Sequence, residues 1–164
     1  VIEAVHLFGL PEQQIDVVIH RESIVHSMVE YTDHSVMAQM GVADMRIPIQ
    51  YALTWPRRQP SPAAALDLTN IAKLTFYPPD EQNFPCLSVC RQAIRKGGVT
   101  PAAVNAVNEE AVRLFLQDRI GFLEIAEWAQ RAYDGFSGAY SDTDDLLRID
   151  ADARRMVREY YAGR

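Results

Sequence analysis

Apolar residues alternate with polar ones over short stretches in the first third of the chain and recur every three to four positions from residue 85 onward. The first pattern predicts strands and the second predicts helices. Ile2, Val5 and Phe8 share helical spacing, and Gly9 offers a left-handed stop, so the chain opens on a helix. Pro11 begins a turn, and residues 15–19 (IDVVI) read as a buried strand. A second strand is expected over residues 24–31, with Val25, Ser27, Val29 and Tyr31 on one face and Ile24, His26, Met28 and Glu30 on the other. Thr32-Asp33-His34-Ser35 turns the chain, residues 36–40 return as the second arm of a hairpin, and Gly41 ends it. Asp44 is placed to cap a helix running to Trp55, with Pro48 in its first turn and Pro56 as its stop.

Residues 56–80 change character. Arg57-Arg58-Gln59-Pro60-Ser61-Pro62 and Pro78-Pro79 bracket a loop-rich connector with short extended pieces near Leu66 and Leu74-Thr75-Phe76. Four amphipathic helices follow. The first carries Cys86, Val89, Cys90 and Ala93 inward and ends at Gly97-Gly98; the second has Thr100 as cap and Pro101 at its first position. The third shows Phe122, Ile125, Ala126, Ala129 and Tyr133, and the last begins at Ser141-Asp142-Thr143-Asp144, with capping-box spacing. The expected architecture is α+β: a partial α/β domain with a β-hairpin over residues 1–55, a linker over 56–80, and a four-helix bundle over 81–164.

Composition narrows the function. At 164 residues and 48% hydrophobic, the chain can bury one solid core or two small ones. A net charge of −6 argues against a nucleic-acid partner, which needs a basic face. No apolar run approaches the roughly 18 to 20 residues of a membrane span. The sequence begins Val-Ile-Glu-Ala, with no basic leader or cleavage site, and reads as the C-terminal part of a longer polypeptide without a secretory signal. Cys86 and Cys90 lie on one helical face with no further ligand nearby in sequence, so reduced thiols in a reducing compartment are expected.

Candidate chemistry is concentrated between residues 20 and 46. His6, His20, His26 and His34 fall close together, but their spacing matches no common zinc signature. Ser23 and His26 lie three apart without a third acid or a nucleophile-elbow glycine pattern, which disfavours a hydrolase. On residue types alone, the serine turns the chain and the histidine tucks against a sheet edge. Neither GxGxxG nor GxxxxGK[ST] occurs among the eight glycines, so the chain has no dinucleotide site of its own.

A series of ordered matches goes further: Ile2-Glu3-Ala4 with Leu7-Phe8, residues 19–28, Ala38-Gln39-Met40-Gly41, Asp44-Met45-Arg46 with Pro48-Ile49, and Asn105-Ala106 with Asn108-Glu109. Together they resemble the 1-deoxy-D-xylulose 5-phosphate reductoisomerase family over nearly the whole chain. The resemblance implies an NADPH-dependent oxidoreductase of non-mevalonate isoprenoid synthesis. Its divalent metal, Mg2+ or Mn2+, would polarise a ketose during rearrangement of the carbon skeleton, and hydride transfer would follow. It also implies that the metal ligands and phosphate-gripping residues precede Val1, so that the 164 residues alone are inactive and Glu3 is not a ligand. By the same resemblance Ser23 and His26 border the sugar-phosphate substrate, Met45 packs near substrate and nicotinamide, and Asp44 and Arg46 brace the Met45 loop. The implied partners are the N-terminal part of the same enzyme and a second copy in a homodimer. The implied location is the cytoplasm, or the plastid stroma in a plant or alga.

The sequence departs from the family pattern in three places. His34 stands where a hairpin glycine is common, Ala43 where a proline precedes Asp-Met, and Arg21-Glu22 where Pro-Gln is frequent. A second reading makes the chain a helical interaction module, but such a module has no need of Ser23, His26 and the Asp-Met-Arg loop.

Overall fold

A computed structural model describes residues 1–162 of the chain. Among the described residues it holds seven α-helices and one two-stranded antiparallel sheet, an α+β fold. The contacts form two compact units: Val17–Pro78, and a helical unit in which Val1–Asp16 joins the chain from Pro79 onward.

The helical unit contains the hydrophobic core. After α1 (Ile2–Phe8), which Gly9 ends at φ +62, and a 3-10 turn at Glu12–Gln14, its remaining helices are α4 (Cys86–Lys96), α5 (Thr100–Phe115), α6 (Phe122–Gly135) and α7 (Thr143–Ala162). Helix α5 is central and packs on α4, α6 and α7. Ala93, Ala103, Ala106, Ala111, Ala129, Ala132 and Ala153 are all buried, so backbones approach closely, while Leu114, Val104, Val157 and Trp128 fill the volume between them. Thr100 does not cap α5: its hydroxyl donates to the Phe136 carbonyl at 3.0 Å, tying α5 to the end of α6. The start of α7 is closed by Asp142, which accepts the Asp145 N–H at 2.9 Å, and by Asp145, which accepts the Ser141 N–H at 2.8 Å.

The opening segment, Val1–Asp16, groups with the helices for an electrostatic reason. Glu12, 4% exposed, is gripped by Arg91 and Arg95 of α4, and Arg91 also donates to the Ile15 carbonyl at 3.0 Å. These bonds attach the opening segment to α4. Residues 15–19 are not the buried strand that their apolar run suggests. Among the described residues only Ile19 of this run pairs, in an isolated antiparallel bridge to Tyr77, and no strand lies alongside the rest.

The Val17–Pro78 unit is built on β1 (Val25–Glu30) and β2 (Val36–Met40), followed by α2 (Arg46–Thr54) and a short α3 (Leu68–Ile71). The hairpin forms where alternation predicts it, with Glu30 opposite Val36 and Val25 opposite Met40. His34 takes φ +66 at the turn, in the left-handed region where histidine is tolerated better than most residues. In this unit only Gly41 is buried. Helix α3 interrupts the expected connector, capped by Asp67, whose carboxylate accepts the N–H groups of Thr69 and Asn70 at 2.9 and 3.3 Å.

Candidate functional site

The base of the hairpin collects the polar chemistry. The Gly41 N–H donates to the Ile24 carbonyl at 3.0 Å, which brings the Ser23 turn beside the start of the Asp44-Met45-Arg46 loop. Between them, β1 carries a bulge: Val25 faces Met40 but Ser27 faces Gln39, leaving His26 as the extra residue. The strict alternation expected for residues 24–31 breaks here, and a bulge re-aims the side chain it carries. His26 Nε2 lies 3.3 Å from the Gly41 carbonyl. A carbonyl only accepts, so Nε2 carries a proton in this contact.

Ser23 is exposed and sits at φ +50, an uncommon backbone region for serine. Met45 is 70% exposed. Its backbone is fixed from both sides, since Asp44 accepts the Arg46 N–H at 2.9 Å and the Arg46 guanidinium Nε at 3.0 Å on each oxygen. The Arg46 side chain holds the Asp44 carboxyl below its ordinary range. The pair thus braces the loop and turns an apolar thioether to solvent at the start of α2.

The structure brings Ser23, His26 and Met45 to one end of the hairpin by these backbone links. Among the described residues no hydrogen bond joins their side chains to one another, and they line neither of two cavities found elsewhere on the chain. One cavity, about 330 Å³, lies along α2 between Arg46, Ile49, Gln50, Leu53, Thr54 and Pro62. The other, about 190 Å³, lies in the helical unit and includes Phe84, Cys86, Asn108 and Phe122.

A second polar cluster, which sequence reasoning missed, lies directly behind Ser23. The His20 side chain is 6% exposed and stacks on Phe76 with ring centroids 4.6 Å apart. Its Nδ1 is 2.8 Å from the Thr75 carbonyl, and its Nε2 accepts the Ile24 N–H at 3.1 Å. The Thr75 hydroxyl donates to Glu22 at 2.6 Å, and this bond is the main reason the Glu22 carboxyl lies below its usual value. No local signal announces a partnership across 55 residues.

Among the described residues no group of three or more His, Cys, Asp or Glu side chains converges to hold a metal ion. Cys86 and Cys90 are free thiols whose pKa burial pushes up. No helix among the described residues is long and apolar enough to cross a membrane.

Residues 40–156 match the family model of the DXP reductoisomerase C-terminal domain. The chain belongs to that family. It is 54% identical over 160 residues to the 1-deoxy-D-xylulose 5-phosphate reductoisomerase of Chloroherpeton thalassium, covering 96% of this chain and 41% of the relative. The enzyme of the same name from Rhodospirillum centenum is 48% identical over 163 residues, 99% of this chain and 40% of the relative. Among solved structures, the Zymomonas mobilis reductoisomerase in complex with NADPH superposes with a TM-score of 0.87 at 41% identity, over 96% of this chain and 42% of that one. A DOX-P reductoisomerase in complex with NADPH, fosmidomycin and magnesium gives a TM-score of 0.89 at 39% identity, over 96% of this chain and 41% of that one. This member of the reductoisomerase family thus spans about two fifths of the length of its relatives.

Proposed function

We propose that the chain is the C-terminal portion of an NADPH- and divalent-metal-dependent reductoisomerase that converts 1-deoxy-D-xylulose 5-phosphate to 2-C-methyl-D-erythritol 4-phosphate. The observation that carries this reading is the near-complete coverage of the chain, at about half identity, by reductoisomerases of that name. In this reading residues 1–55 complete the α/β catalytic domain, 56–80 connect, and α4–α7 act as a four-helix bundle that supports it. The working enzyme is a cytoplasmic homodimer, or a stromal one in a plastid.

Bound NADPH supplies a hydride and Mg2+ or Mn2+ polarises the ketose; the remainder of the polypeptide holds both. The hairpin base contributes the wall of the substrate cavity. Ser23 offers a hydroxyl to the sugar phosphate from a fixed turn. His26, with its proton on Nε2, offers Nδ1 to a substrate hydroxyl. Met45, set by the Asp44–Arg46 pair, covers the apolar side of the cavity toward the nicotinamide and keeps water out.

The test is NADPH oxidation driven by 1-deoxy-D-xylulose 5-phosphate, comparing the 164-residue chain with the polypeptide extended to the length of its relatives. Turnover only in the longer polypeptide is expected. An inactive longer polypeptide overturns the assignment, and turnover by the 164 residues alone overturns the placement of metal and nucleotide on the remainder.

A further inference from the structure

We propose that His20 is a positioning residue for Ser23, its neutral imidazole latching the strained serine turn onto Thr75 and Phe76. The proposal rests on the reading above, in which Ser23 contacts the sugar phosphate.

The protonation state follows from the partners. The Thr75 carbonyl accepts only, so the nitrogen 2.8 Å from it, Nδ1, carries a proton. The Ile24 N–H donates only, so Nε2, 3.1 Å away, carries none. The ring is therefore neutral, in a single tautomer, and uses both nitrogens at once. One bond anchors the ring to a segment 55 residues away, and the other holds the backbone immediately after Ser23. The Ser23 N–H itself donates to the His20 carbonyl at 3.3 Å, closing the turn.

Thr75 grips the turn twice. Its carbonyl takes His20 and its hydroxyl donates to Glu22 at 2.6 Å, so the residues on either side of Arg21 are both fixed to one point. Glu22 Oε2 lies 3.0 Å from Nδ1, a negatively charged neighbour on the protonated side of the ring. Phe76 stacks within 16° of parallel and closes the face of the imidazole. A serine at φ +50 is disfavoured on its own, so the turn needs such outside contacts to remain populated. His20 reaches no reacting atom in this arrangement; its effect passes through the backbone of Ser23 and Ile24.

Two substitutions separate its two bonds. His20→Asn keeps a donor near the Nδ1 position and removes the acceptor for Ile24, whereas His20→Gln keeps an acceptor near Nε2 and loses the donation to Thr75. In the full-length enzyme, His20→Asn is expected to raise KM for the sugar phosphate about tenfold, the value of one hydrogen bond, with KM for NADPH unchanged and kcat within about twofold. His20→Gln is expected to recover most of that loss. In the 164-residue chain, ¹⁵N spectra of labelled histidine should show His20 protonated on Nδ1, and Ile24 amide exchange should quicken in His20→Asn. An unchanged sugar-phosphate KM in His20→Asn overturns the proposal. So does a ring protonated on Nε2, whether or not the variants fold, or a loss spread equally over both substrates and kcat. Ser23→Ala separates the two levels: if it leaves the sugar-phosphate KM unchanged, the assignment of Ser23 fails and the positioning role fails with it. If Ser23→Ala raises KM and His20→Asn does not, only the role of His20 is lost.

Discussion

The indole N–H of Trp128 donates to the Tyr161 hydroxyl at 3.0 Å, and that hydroxyl donates in turn to Glu124 at 3.0 Å. Burial is the chief cause that raises the Tyr161 phenol above its ordinary value, so it stays a donor at neutral pH. The chain of bonds ties the end of α7 to the first turn of α6. Tyr161→Phe leaves the buried Trp128 N–H without an acceptor and is expected to cost about 1–2 kcal/mol, read as a lower urea midpoint with an unchanged slope.

Gly98 predicts a sharper loss. It lies at φ +57, and a Cβ built on it would fall 2.0 Å from the backbone oxygen of Gly138. That oxygen already accepts the Val99 N–H at 3.0 Å, so it cannot move aside without breaking the tie between the two turns. Gly98→Ala is expected to destabilise by more than about 2 kcal/mol. Gly135→Ala, with open space around the added methyl and a helical position, should be neutral or stabilising by up to about 1 kcal/mol. Thermal denaturation of the two variants side by side distinguishes them.

Acid sensitivity should trace to Glu110. Burial alone would raise this carboxyl, which is 2% exposed, but hydrogen bonds from Arg158 and Arg113 outweigh burial and bring it from 4.5 to about 2. Its pKa is lower in the folded state than in the unfolded one. Its contribution is therefore complete above 4.5, shrinks as the unfolded chain takes up the proton, and is gone once pH passes below about 2. Glu12, lowered chiefly by Arg95 and then Arg91, acts in the same direction. Urea midpoints should fall between pH about 5 and about 2.5, and Glu110→Gln should flatten that slope.

Glu12→Gln removes the charge that Arg91 and Arg95 share. The expected result is local. Amide exchange over residues 1–16 should rise at least about tenfold, while the centre of α5 keeps its protection. Equal loss of protection in both places would show that the clasp supports the whole helical unit.

Periodicity revealed every long element, because amphipathic helices and a hairpin write their burial into the local sequence. Helical spacing puts Val104, Val107, Ala111 and Phe115 on the core side of α5; the first three are fully buried and Phe115 is partly buried against them. What local sequence could not supply was pairing. Residues 15–19 have the composition of a strand, yet a strand needs a neighbour, and only Tyr77 provides one contact. The bulge at His26 leaves the apolar alternation of β1 almost untouched, so nothing in the order of residues reveals it. Asp67 before Thr69 and Asn70 was a readable cap, but a helix of four residues is shorter than the periodicity can resolve. The partners of His20 lie too far along the chain for any spacing rule to find. The residues at the hairpin base were legible through family likeness rather than through their own pattern.

The paired backbones at Ile19 and Tyr77 donate to each other's carbonyls at 2.9 Å in both directions. The fifty-seven residues between them therefore leave and return through one narrow neck, whose ends lie only about 5.5 Å apart. In topological terms the hairpin half is an insertion into a helical host. Excising it between these two positions and closing the gap with a few glycines and serines should spare the host's core, and a cooperative melt of the remaining helices would show it.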